Sequence, residues 1–133
     1  MEKKIKLASL SPNLIVDDVN KAVEYYAQKI GFTLVASVPE QGTFNWAMVA
    51  RDGVTLMFQS LESIKEDMPA LQVNSKGGIG TFFIEMEGID ELYESLKGKA
   101  DIAFEIRTTF YGKREFGIRD LNGYFLVFAE DVK

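Results

Sequence analysis

The chain of 133 residues contains no histidine and no cysteine. Those two absences remove the imidazole and thiolate ligands of most transition-metal sites and the usual nucleophile–base pairs of hydrolases. They also leave no thiol from which to build a disulfide framework. Long apolar runs are missing too: nothing approaches the roughly 20 residues of a membrane-spanning helix. The start, Met-Glu-Lys-Lys-Ile-Lys, has the basic character of a signal peptide without the apolar run that should follow. A cytoplasmic protein that binds no membrane is the expectation. An excess of positive charge is lacking as well, since 15 Lys and Arg stand against 20 Asp and Glu for a net charge of −5. That balance argues against nucleic-acid binding and favours a cationic over an anionic small molecule, although it also serves solubility alone.

Apolar residues, by contrast, make up 47% of the chain and include ten phenylalanines. Such a composition fills the core of one domain spanning residues 1–133. Val19, Ala22, Val23, Tyr26 and Ile30 recur at helical spacing, with Asp17 or Asp18 as cap and Gly31 as stop. Ile89, Leu92, Tyr93 and Leu96 form a second such set. The two sets are 70 residues apart (89 − 19 and 92 − 22), and the same offset relates Gly53 to Gly123, Leu56 to Leu126, Phe58 to Phe128 and Trp46 to Phe116.

A strand-like run precedes each helix (Ser11–Val16 and Thr81–Met86) and three follow it. In the first half these are Thr33–Val38, Phe44–Ala50 and Val54–Gln59. In the second they are Ile102–Thr108, Arg114–Arg119 and Tyr124–Ala129. The chain therefore reads as a duplicated βαβββ module, α+β in class. Module one covers about residues 7–60, a linker with a short helix near Glu62–Asp67 covers 61–78, and module two covers 79–133. The run Lys76-Gly77-Gly78-Ile79-Gly80 lacks the G-x-x-x-x-G-K-[ST] pattern of a phosphate loop and reads as a hinge.

Two segments carry a family resemblance. Pro12-Asn13-Leu14-Ile15-Val16-Asp17-Asp18-Val19, with Tyr25-Tyr26 and Ile30-Gly31-Phe32 after it, combines a strand, an acidic cap, an aromatic pair and a Gly-Phe. Gly112-Lys113-Arg114-Glu115-Phe116-Gly117-Ile118-Arg119-Asp120-Leu121-Asn122-Gly123 resembles the G-x-R-E-F…D-P-x-G-N ending of bleomycin-resistance proteins, with Leu121 for the usual proline and Tyr124 for the usual asparagine. With the duplication, these segments resemble the vicinal oxygen chelate superfamily, which groups glyoxalases, extradiol dioxygenases and bleomycin-resistance proteins.

The resemblance implies the glyoxalase/bleomycin-resistance fold, in which the modules form a curved mixed sheet with a concave cleft. Metalloenzymes of the superfamily place ligands on the first and last strands of each module. Carried over, those positions are Ser11, Met57, Thr81 and Val127, none of which suits a hard or borderline divalent ion. No metal and no cofactor is therefore expected, although a site rebuilt from Asn13, Gln59 and Glu85 stays open.

Strand alternation assigns Asn13, Met57, Gln59, Phe83 and Glu85 to the concave face, and the third strands add Trp46, Met48, Phe116 and Ile118. Trp46 and Phe83 either stack a planar or cationic ligand or fill space between the modules. Glu85 either supplies charge or is neutralised by Arg107 or Arg114. Arg114 and Glu115 are either a cross-strand pair or ligand contacts. Phe110 and Tyr111 fall where the resemblance puts the mouth of a crevice.

The candidate ligand-binding set is thus Asn13, Trp46, Met57, Gln59, Phe83, Glu85, Phe110, Tyr111, Arg114 and Phe116, with no catalytic residue assigned. The resemblance implies a metal-independent, antibiotic-binding type of protein that sequesters an aromatic or cationic compound in the crevices of a homodimer. The alternatives are a glyoxalase-type lyase, isomerase or dioxygenase with a non-standard or absent metal site, and a module that binds a protein partner.

Overall fold

Why each apolar set becomes a helix is visible at its ends and along its buried face. The computed structural model describes residues 5–6, 8–71 and 81–132; the Lys76–Gly80 run lies outside them. Helix α1 (Val19–Ile30) buries Val19, Ala22, Tyr26 and Ile30, and the Asp18 carboxylate accepts the Lys21 N–H at 3.0 Å to start it. Gly31 ends it in the left-handed region at φ 74°, a conformation that costs glycine little. Arg51 donates to the carbonyl of Ile30 at that same end. Helix α3 (Ile89–Leu96) has no side-chain cap of its own. Glu130, 41 residues later, accepts the Ile89 N–H at 2.8 Å instead.

Around α1 stand β1 (Asn13–Val16), β2 (Thr33–Val38), β3 (Trp46–Arg51) and β4 (Val54–Ser60), in the order β1-β4-β3-β2. Around α3 stand β5 (Thr81–Glu85), β6 (Asp101–Thr108), β7 (Lys113–Arg119) and β8 (Phe125–Asp131), in the order β5-β8-β7-β6. In both sheets the first strand runs parallel to the last and the other pairings are antiparallel. Two mixed four-stranded sheets with the same topology are the duplicated architecture. Helix α2 (Leu61–Asp67), begun by Ser60 accepting the Ser63 N–H, leads from the first module.

The 70-residue offset holds on the outer pairing: Asn13 lies opposite Met57, and Phe83 opposite Val127. It fails by one residue on β3 and β7. Ala47 pairs with Phe58, whereas Phe116 pairs with Phe128, an offset of 69 (116 − 47). Because side chains alternate across a strand, one residue of slip exchanges faces. Phe116 and Ile118 consequently point to the helix side and are fully buried, Phe116 with its ring 5.1 Å from Tyr93 of α3. The residue equivalent to Trp46 is Glu115.

The modules are tied by hydrogen bonds. The Tyr26 hydroxyl donates to Asp120 Oδ2 at 2.6 Å, while Asp120 Oδ1 accepts the backbone N–H of Asn122 and of Tyr124. The Tyr124 hydroxyl then meets β1, accepting the Ile15 N–H at 3.0 Å and donating to the Ile15 carbonyl at 2.9 Å. Burial, reinforced by the charge of Asp120, raises the pKa of Tyr26 far above the ordinary phenol range and that of Tyr25 to about 12.

Candidate functional site: a cleft on module one

The concave face of β1, β3 and β4 carries polar groups at only a few points. Asn13 Nδ2 donates to Gln59 Oε1 at 2.9 Å, and Gln59 Nε2 donates to Ser63 Oγ at 2.9 Å. This relay joins the edge strand to the first turn of α2, and Gln59 is buried within it. Trp46 stands directly opposite Gln59 in the register, and Met57 opposite Asn13. Above them opens a cleft of about 600 Å³, within the range of small-molecule sites. Val38, Asn45 and Met68 complete its walls, and Glu66 and Asp67, in the last turn of α2, form an acidic rim. Among the described residues, neither carboxylate is in an ion pair and no basic side chain lines the cleft. Such a site offers an aromatic platform, a hydrogen-bonding floor and two carboxylates at its rim.

Of the residues singled out in the sequence, the fold brings Asn13, Trp46, Met57 and Gln59 together at this cleft. The others lie on module two and are not in its lining. Phe83 is 51% exposed on β5, and Phe110 is fully exposed with its ring 5.1 Å from that of Tyr111. Glu85 faces solvent and is paired with Lys113 at 3.4 Å rather than with Arg107 or Arg114. Lys113 also meets Asp131 at 2.6 Å, and that hydrogen bond raises its pKa.

Arg114 points to the helix side and pairs with Asp90 of α3 at 2.9 Å. Its chain neighbour Glu115 turns the opposite way, so the two are not a pair. Glu115 Oε1 accepts from the Tyr111 hydroxyl at 2.7 Å and from Arg107 at 3.3 Å, and the carboxylate raises the pKa of the Tyr111 phenol. Phe116 leaves the ligand-facing set altogether, for the slip on β7 places it in the core. Glu66, Asp67, Ser63 and Met68 were not legible as site residues, because the segment after β4 read as a linker. The signal available was an acidic pair ending a short helix beside the sheet.

The four positions that the resemblance assigns to metal ligands do not fit an ion. Ser11 Oγ is hydrogen-bonded to Thr55 Oγ1 at 2.5 Å, Thr81 offers only a neutral hydroxyl, the side chains of Met57 and Val127 carry no oxygen or nitrogen, and that of Val127 is buried. The rebuilt set fares no better, since Asn13 and Gln59 bond each other while Glu85 pairs with Lys113 on the other module. Among the described residues no three His, Cys, Asp or Glu side chains cluster to hold a metal. No helix among them is long and apolar enough to cross a membrane.

Comparison with known proteins agrees with this architecture. A family model described as the Glyoxalase/Bleomycin resistance protein/Dioxygenase superfamily matches residues 7–128. Bleomycin resistance proteins of Geobacillus stearothermophilus and Staphylococcus aureus are 30% identical over 129 residues, covering 92% of this chain and 96% of theirs. In fold, the chain is similar to TioX from Micromonospora sp. ML1, with a TM-score of 0.75 and 23% identity over 94% of this chain and 99% of that one. It is also similar to a glyoxalase/bleomycin resistance protein/dioxygenase from Nocardioides, with a TM-score of 0.77 and 19% identity over 98% of this chain and 87% of that one. The doubled βαβββ topology and the match across nearly the whole chain lead to one conclusion: this protein belongs to the glyoxalase/bleomycin resistance protein/dioxygenase superfamily.

Proposed function

We propose that the protein is a metal-independent binding protein of the bleomycin-resistance type, sequestering a planar, cationic small molecule in the module-one cleft. The observation that carries this reading is the cleft itself. Trp46 and Met57 offer apolar, polarisable surface to a flat ligand, while Glu66 and Asp67 hold two charges that no described basic residue neutralises. The bleomycin resistance proteins among the relatives add weight to the choice of ligand class. A homodimer belongs to the proposal, with the exposed Phe83, Phe110 and Tyr111 of a second copy closing the crevice.

The test is a titration with a bleomycin-type glycopeptide, following the fluorescence of Trp46, the only tryptophan. Saturable quenching is expected. In calorimetry, affinity should fall in Trp46→Ala and in the charge-neutral Glu66→Gln/Asp67→Asn double variant. A flat titration and calorimetric trace would remove the glycopeptide from the reading. Unaltered affinity in the double variant would remove the acidic rim.

A further inference from the structure

Among the described residues, strand β1 stands at the edge of its sheet. Its one strand partner there is β4, and on that side the Pro12 carbonyl accepts the Met57 N–H at 2.8 Å. Ile15, two residues beyond Asn13 on the same face, has both its backbone groups taken from outside the sheet by a single phenol, that of Tyr124. The phenol comes from the other module. Its backbone is fixed in turn, because the Tyr124 N–H donates to Asp120 Oδ1 at 2.9 Å and the Asp120 N–H donates to the Tyr124 carbonyl at 2.8 Å. Its ring lies 6.2 Å from that of Phe82. Two sets of hydrogen bonds therefore meet on β1, joined by its backbone: one from the β7–β8 turn ends on Ile15, and the other runs from Asn13 through Gln59 to Ser63 on α2, the helix that ends in the acidic rim.

We infer that Tyr124 is a positioning residue for the module-one cleft: its hydroxyl lets module two fix the free edge of β1 and, through it, the Asn13–Gln59–Ser63 relay. The inference rests on the cleft being the binding site proposed above. A hydroxyl bonded to both groups of one residue restrains the strand along its length as well as sideways. Losing it frees β1 to shift while the ring packing persists.

The experiment compares wild type, Tyr124→Phe, and Ile118→Val as a core trim on β7 that keeps the Tyr124 hydroxyl. Without ligand, amide exchange at Ile15 should speed up in Tyr124→Phe alone, and the side-chain amide signals of Asn13 and Gln59 should move. With the bleomycin-type glycopeptide, the dissociation constant should rise roughly fivefold, because β1, having lost both hydrogen bonds to the Tyr124 hydroxyl, must be ordered on binding. Asn13 and Gln59 signals that match those of Ile118→Val would overturn the inference, whatever the affinity. Altered signals in Tyr124→Phe with no glycopeptide binding by wild type would support positioning and place the failure on the ligand reading.

Discussion

Asp120 shows how much one buried side chain can hold. It accepts three hydrogen bonds, from the Tyr26 hydroxyl and from the backbone N–H groups of Asn122 and Tyr124, and so joins α1 to the β7–β8 turn. Tyr26→Phe removes one donor and leaves a buried carboxylate oxygen short of a partner, which should cost about 1–3 kcal/mol in urea unfolding. The same tyrosines set an alkaline limit. In the unfolded chain they ionise near pH 10.0, whereas in the fold Tyr25 is raised to about 12 and Tyr26 is raised further by burial and Asp120. From pH 10 upward the unfolded state thus binds fewer protons than the folded one, and stability falls as pH rises. Urea midpoints should be insensitive to these two groups below pH 9 and decline between pH 10 and 12, with a shallower decline in Tyr26→Phe.

Elements differ in how locally they are specified. Helix α1 carries its own start signal in Asp18 and its own stop in Gly31, so its limits could be read from residues in sequence order. Asp18→Ala should cost about 1 kcal/mol by the loss of the N-cap bond, measurable by thermal or urea unfolding. Helix α3 depends on Glu130 from β8, a cap that no local pattern announces. Strand β7 shows why an offset read along the chain can mislead. Its slip by one residue against β3 puts Phe116 in the core, Glu115 at the counterpart of Trp46, and Gly117 at the counterpart of Met48. The Phe104 ring occupies the space over Gly117, where an added Cβ would lie 2.4 Å from a ring carbon. Gly117→Ala should therefore lower the unfolding temperature by displacing Phe104, and the NMR signals of the Phe104 ring would register the change.

At the scale of the whole molecule, charge and assembly make the remaining predictions. Binding of a cation at the Glu66–Asp67 rim should weaken as salt rises, because exposed charges are screened within about 8 Å at physiological ionic strength. The Glu66→Gln/Asp67→Asn variant should lose most of that salt dependence. Light scattering should report a mass near twice the 14.9 kDa of one chain, and a monomer would remove the second copy from the crevice.

The sequence by itself determined the duplication, the order of the elements, the superfamily and the absence of imidazole and thiolate ligands, because apolar periodicity, cap residues and composition are local properties of a chain. Tertiary structure decided which face of β7 looks into the core, which cation each carboxylate meets, and that a helix after β4 brings Glu66 and Asp67 beside Trp46. Those outcomes depend on strand register and on contacts between residues far apart in sequence. A one-residue slip changes every face while leaving the composition untouched.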